Sequence, residues 1–274
     1  MKLTPEQKNF FHTFGFISFP GLLNDRVDKI IEAFEQTWRM NGGGHNGKPH
    51  DEKRRSCTNM YQTDYMATLL DDPRLVGIGA SLLGDDFNFG GGDGNYYVGD
   101  TGWHSDGWHA NVMHIKIAFY LDPLTKDTGC LRVIPGSHKI NDSFAKELQE
   151  NLGRSAESFS MSGREIPAIA LETKPGDVLV FNHNCKHASF GGGVRRRMFT
   201  MNLSQRYPQH LVPELRKALE GAARFWATEP YHESLLRNAP PERLIHLEQI
   251  RNNFDHVREL TRIAKETMLE PARG

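Results

Sequence analysis

The run Met113-His114-Ile115-Lys116-Ile117-Ala118-Phe119-Tyr120-Leu121 sets a large apolar residue at every odd position and mostly polar ones between. That period of two belongs to a strand with one face in a core, and a helix cannot bury it. Shorter strands are predicted at Phe16–Phe19, Leu131–Ile134, Ile166–Leu171, Val178–Phe181 and Met198–Leu203. Turns such as Pro135-Gly136, Pro175-Gly176 and Gly191-Gly192-Gly193 separate them. Many short strands with such punctuation argue for a barrel or jelly roll, mainly β with flanking helices, over alternating βα units. Glycine placement agrees: 14 of the 26 lie from Gly42 to Gly107, and only Gly221 and Gly274 lie beyond residue 200.

Helices flank this strand region. Thr4 reads as an N-cap with Pro5 at the first helical position, Gln7 completing a capping box and Gly15 as the stop. Asn24 is expected to cap a second helix reaching Met40, with Val27, Ile30, Ile31, Phe34 and Trp38 on one face. Residues 41–56 read as a polar loop, and a third helix is predicted over 72–83, stopped by Gly84. Beyond Pro208 the chain turns charged and helical, with Leu244, Leu247, Ile250, Phe254, Val257 and Leu260 in one amphipathic stripe. The expected organisation is a main domain over 1–210, its strand core at about 87–204, and a helical C-terminal extension over 211–274 packed on the same domain.

Charge excludes some partners. With 33 basic and 34 acidic side chains the net charge is −1, so there is no general pull toward nucleic acid or an anionic membrane. Three scattered cysteines make neither a disulfide framework nor a Cys-based zinc site, and no apolar run approaches membrane-spanning length. The start has no apolar signal core. A cytoplasmic protein, monomer or homodimer, is the expectation.

The chemistry concentrates in Trp103-His104-Ser105-Asp106-Gly107-Trp108-His109. On an extended segment positions i and i+2 share a side, so His104 and Asp106 can converge on one ion. An imidazole and a carboxylate are two thirds of the 2-His-1-carboxylate facial triad of non-haem Fe(II) oxygenases, although His-x-Asp alone is also a common surface pair. A third ligand would come from the strand Val178–Phe181, which delivers either His183 or His187 to a rim. The spacing of those two also fits a helical zinc-protease motif, but the Glu after the first His is missing and the run before them is strand-like. Next comes Arg195-Arg196-Arg197, leading into an apolar strand, where a guanidinium could pair with a remote carboxylate through two hydrogen bonds.

With those residues stand Leu3-Thr4-Pro5-Glu6-Gln7, Asp72-Pro73-Arg74-Leu75 ending in Leu82-Leu83-Gly84, Gly129-Cys130-Leu131-Arg132-Val133-Ile134-Pro135-Gly136-Ser137-His138-Lys139 and Pro175-Gly176-Asp177-Val178. Together, from the first helix to about residue 205, the chain resembles the phytanoyl-CoA dioxygenase-like family of Fe(II)- and 2-oxoglutarate-dependent oxygenases. The resemblance implies a double-stranded β-helix, cupin-like, with Fe(II) held by His104, Asp106 and His187. It prefers His187 to His183 because His187-Ala188-Ser189 carries the motif's small residue and Ser. It also implies that Arg196, with Ser189 and Thr101, binds 2-oxoglutarate. Arg197 is the nearest rival, but it shares a strand face with Phe199, Met201 and Leu203.

The implied reaction uses O₂ and 2-oxoglutarate as co-substrates and hydroxylates an unactivated C–H bond of a small molecule, releasing succinate and CO₂. Desaturation, epoxidation, ring formation and demethylation stay open, whereas the Asp106 carboxylate argues against halogenation. Trp108 and His109 are expected in the pocket wall, His138 in a structural turn, and His114 off the iron. The segment from Lys48 to Arg55, with His45 and His50, is basic despite Asp51 and Glu52, and Arg54 and Arg55 are candidates to grip an anionic substrate. Two other classes compete: a non-catalytic relative that binds a metal or ligand, and a zinc hydrolase or isomerase on a similar barrel.

Overall fold

A computed structural model describes residues 1–44, 53–193 and 195–273. The helices are α1 (Pro5–Phe14), α2 (Val27–Met40), α3 (Asp64–Ala67), α4 (Pro73–Leu83), α5 (Ser143–Asn151), α6 (Ser155–Phe159), α7 (Val212–Leu219), α8 (Pro241–Arg251) and α9 (Val257–Thr267). The strands are β1 (Phe16–Phe19), β2 (Arg55–Cys57), β3 (Asn88–Phe89), β4 (Gly94–Tyr97), β5 (Thr101–His104) and β6 (His114–Tyr120). They continue with β7 (Leu131–Val133), β8 (Ile169–Leu171), β9 (Val178–Asn182), β10 (His187–Ser189) and β11 (Arg196–Ser204). The chain divides into two compact units: one of residues 3–27 and 96–198, the other of 1–2, 28–95 and 199–274.

The first unit is a sandwich of antiparallel strands. On one side β9 pairs with both β1 and β6, in registers that set Phe16 opposite Phe181 and Ile117 opposite Val180. On the other, the order is β5-β10-β7-β8. Phe16, Ala118, Tyr120, Leu179 and Phe181 of one layer pack with Leu131, Val133 and Leu171 of the other, together with Cys185 and Met198. β6 enters this contact with its even face, Ala118 and Tyr120, while the odd apolar face of Ile115, Ile117 and Phe119 is buried as well, so the strand is covered on both sides and not on the one its alternation predicts. A second cluster, Trp103, Ile134, Ala188 and Phe190 with Leu148 and Leu152, seats α5 and the turn after it on the outside of the smaller sheet.

The sequence explains the entry to the sandwich. Thr4 Oγ1 accepts the Gln7 amide at 3.2 Å and Gln7 Oε1 accepts the Thr4 amide at 3.0 Å, a complete capping box. Gly15 ends α1 at φ 86°, and a Cβ there would press into the His138 ring at 2.5 Å. His138 in turn has its Nε2 at 3.2 Å from the His12 carbonyl, a structural role.

In the second unit the core holds Phe34, Tyr61, Phe89 and Phe199, and the buried Tyr61 hydroxyl donates to the Thr200 carbonyl at 2.8 Å. α8 is pinned by His246, which stacks on Phe87 at 3.7 Å with Nδ1 2.8 Å from the Phe87 carbonyl, and by an Arg243–Asp71 ion pair. No helix among the described residues is long and apolar enough to cross a membrane.

Three expectations are corrected. The second helix begins at Val27, and Asn24 sits in turns, its amide bonded to the Gly21 carbonyl at 3.2 Å and its side chain against Gly176. Part of the expected polar loop is strand β2, and residues 45–52, with Lys48, His45 and His50, lie outside the described residues. The C-terminal stripe is split between α8 and α9, and Leu244 points outward at 39% exposure while Leu247, Ile250, Phe254 and Val257 are buried.

Candidate metal centre

Register brings the first two candidate ligands together. β5 and β10 are antiparallel neighbours with His104 directly opposite His187, and the two rings lie 4.2 Å apart. Each ring is oriented by the main chain: His104 Nδ1 is 2.8 Å from the Gly102 carbonyl and His187 Nδ1 is 2.9 Å from the Cys185 carbonyl. A carbonyl oxygen only accepts, so the hydrogen sits on Nδ1 and the lone pair on Nε2. Asp106 leaves the strand with its amide, and that of Gly107, donating to the His183 carbonyl at 2.9 and 3.2 Å. Its carboxylate places Oδ2 3.7 Å from His187 Nε2 and Oδ1 4.0 Å from His104 Nε2. One donor atom from each of the three lies within 4.8 Å of the others.

Lys116 of β6 completes this arrangement, its ammonium 2.8 Å from Asp106 Oδ2. Burial works to raise the Asp106 pKa, but Lys116, His187 and His183 outweigh it and hold the carboxyl well below the usual carboxylate range. Burial pushes His187 down to about 4 against the opposing pull of Asp106, so the imidazole is neutral at pH 7. Two imidazoles and one carboxylate converging on one point are the donor set of a non-haem Fe(II) site. Zinc accepts the same three ligands.

Arg196 opens β11 and is 4% exposed, its guanidinium 5.1 Å from the centre of the Tyr97 ring. Two glycines close on it: a Cβ at Gly129 would lie 1.9 Å, and one at Gly192 2.4 Å, from its Nη1. The Ser189 hydroxyl donates to the Gly129 carbonyl at 2.8 Å, and Thr101 faces Ser189 across β5 and β10. A buried arginine cradled by backbone is a fitting receptor for a small dicarboxylate. Arg197 is spent elsewhere, its Nη2 2.6 Å from Asp122 Oδ1 and its amide 2.8 Å from Asp122 Oδ2.

The remaining candidates divide. Trp108 is 38% exposed and lies over Lys186, whose Nζ is 4.4 Å from the ring centre. Lys186 itself is 2% exposed, and burial pushes its ammonium down to about 8. His109 stacks on His114 at 3.7 Å, with His183 beside both. Arg54 and Arg55 belong to the other unit: Arg54 Nε donates to Asn95 Oδ1 at 2.9 Å, and Arg55 lies over Trp38 at 5.7 Å.

Residues 11–198 match the phytanoyl-CoA dioxygenase (PhyH) family. The chain belongs to that family. An ectoine dioxygenase of Sphingopyxis alaskensis is 30% identical over 167 residues, 53% of this chain and 55% of that protein. The chain spans about half the length of the curated relatives it matches. Among solved structures, the 2-oxoglutarate-dependent carbocyclase SnoK from nogalamycin biosynthesis superposes with a TM-score of 0.57 at 17% identity, covering 74% of this chain and 84% of that one. HygX from Streptomyces hygroscopicus, with nickel and 2-oxoglutarate bound, has a TM-score of 0.55 at 18% identity over 76% of this chain and 89% of that one. The PhyH chain shares their fold, the jelly roll expected from its strand pattern.

Sequence reasoning missed Lys116, Tyr97 and the grouping of His109 with His114 and His183. One signal was available for the first. His114 and Lys116 are the polar positions of β6, so their face needed a polar partner.

Proposed function

We propose that this PhyH-family chain is an Fe(II)- and 2-oxoglutarate-dependent dioxygenase that hydroxylates an unactivated C–H bond of a small molecule, with release of succinate and CO₂. The convergence of His104, Asp106 and His187, with both Nε2 lone pairs set by main-chain carbonyls, carries this reading. When bound, iron and 2-oxoglutarate supply the oxidising chemistry. The chain's own residues bind and orient. His104, Asp106 and His187 hold the metal, and Lys116 keeps Asp106 ionised and fixed. Arg196 pairs with the distal carboxylate of 2-oxoglutarate, and Ser189 and Thr101 line the path to it. Arg196, buried between Gly129 and Gly192, favours this reading over a zinc hydrolase because a dicarboxylate co-substrate calls for a cation there.

Trp108 and His109 wall the substrate side. The resemblance associates halogenation with a small residue in place of this carboxylate, and Asp106 retains it, so hydroxylation is preferred to halogenation. The three cysteines are buried free thiols, which suits a reducing, cytoplasmic location.

The test begins without oxygen. Fe(II) and 2-oxoglutarate added to the protein are expected to give the visible charge-transfer band of the chelate, and admitting O₂ should then yield succinate. Asp106→Ala should lose both. A wild-type protein that shows neither band nor succinate is a non-catalytic relative, and the proposal fails.

A further inference from the structure

We infer that His109, His114 and His183 form a second metal site, distinct from the proposed iron ligands, that takes one divalent ion of the zinc class. One ring nitrogen from each lies within 4.8 Å of the others. The three come from different segments: the loop after β5, the first residue of β6 and the turn after β9.

Main-chain bonds, not ring contacts alone, hold them together. Asn184 clamps His109 twice, its Oδ1 accepting the His109 amide at 2.8 Å and its Nδ2 donating to the His109 carbonyl at 2.9 Å. The His183 amide donates to the His114 carbonyl at 3.0 Å. On that frame the rings of His109 and His114 stack at 3.7 Å and 8°, and His183 stands 5.7 and 5.5 Å from them, tilted by 47° and 44°.

One observation separates this group from an ordinary packed cluster. His183 is 9% exposed, and among the described residues its buried Nε2 has no hydrogen-bond partner. A buried imidazole nitrogen left in that state is costly, and such groups in folded proteins are normally satisfied by something. An ion between the three rings would satisfy it.

Three imidazoles with no carboxylate or thiolate suit zinc, which takes three histidines and leaves a fourth position open. Cobalt, nickel and copper accept the same donors. At Zn–N of about 2.0–2.1 Å, tetrahedral nitrogens stand about 3.3 Å apart, so binding draws the three in and splays the stacked pair. The ion would also tie down the segment that carries Asp106, because the Asp106 and Gly107 amides both donate to the His183 carbonyl.

The experiment uses the full-length chain, stripped of metal and dialysed against Zn(II), with bound zinc counted by mass spectrometry. In the His104→Ala/Asp106→Ala background one zinc per chain is expected to remain, and Co(II) in its place should give the intense visible bands of a tetrahedral site. Adding His114→Ala, or separately His109→Gln, should weaken that zinc by roughly tenfold or more. Circular dichroism identifies any variant that fails to fold, and the other variant then decides. A double variant that binds no zinc overturns the proposal, as does a zinc unaffected by both further substitutions. Failure of the wild-type succinate assay would remove the oxygenase reading and leave this count unchanged.

Discussion

The two histidine groups of the strand-rich unit are held in opposite ways. His104 and His187 face each other across adjacent strands, each with Nδ1 committed to a backbone carbonyl, and a carboxylate stands between their free nitrogens. His109, His114 and His183 sit on a loop, a strand end and a turn, with two rings stacked face to face. In the first group the sheet register sets the positions and the main chain sets the tautomers, so the donors are in place before any ion arrives. In the second the clamps act on the backbone, Asn184 on His109 and the His114 carbonyl on the His183 amide. A mixed nitrogen and oxygen set suits a redox-active iron with open positions; an all-nitrogen set suits zinc and its neighbours.

The largest expected effect tests whether the co-substrate belongs to the first group alone. Arg196→Ala should raise the KM for 2-oxoglutarate by up to about 100-fold, the loss of a charge-assisted pair in a buried site. Arg197→Ala should leave that KM nearly unchanged and lower the melting temperature, because Asp122 loses its bidentate partner. Steady-state assays of succinate release would decide, and a reversed pattern would move the anchor to Arg197.

How far the sequence discloses this comparison differs between the groups. The His104-x-Asp106 pair is readable from strand geometry alone. His187 depends on strand pairing, which local pattern does not encode, and was separable from His183 only through the family motif. The Met113–Leu121 alternation located β6 to within a residue at each end. Yet the meaning of its polar face waited for the partner strand and the Asp106 carboxylate. The second group was illegible because its members converge only after three segments fold. Asn24 was misread for a related reason: its side chain serves a turn packed against Gly176, 152 positions away in sequence, so a local capping rule lost to a tertiary contact. Leu244 fits the apolar period but falls on the outward side once α8 ends at Arg251 and the stripe passes to α9.

A middle-sized effect links the groups through pH. Burial holds His183 at about 3 and His187 at about 4, both below the ordinary histidine value of 6.5. Between pH 6.5 and about 4 the unfolded chain therefore binds protons that the folded chain refuses, and stability falls as pH falls. For the metal-free protein the two residues together should cost about 2 kcal/mol between pH 6.5 and 5.5, about 1 kcal/mol each. Urea unfolding at the two pH values measures it, and His183→Asn should remove about half of this contribution while leaving that of His187. If wild type and variant lose the same stability on acidification, the two histidines do not stay neutral as described.

The smallest effect probes the clamp. Asn184→Ala removes the two bonds to the His109 backbone and leaves the Nδ1 anchors of His104 and His187 in place. The loss should be about 1 kcal/mol in stability, because Asn184 is 6% exposed and the freed His109 groups can reach water. The informative part is the contrast. Zinc retained by the His104→Ala/Asp106→Ala background should weaken several-fold when Asn184→Ala is added, whereas Fe(II) and 2-oxoglutarate binding to Asn184→Ala alone should match wild type. Equal weakening at both centres would mean that Asn184 supports the loop from Asp106 to His109 as one piece, and the two groups would then be one coupled site rather than two.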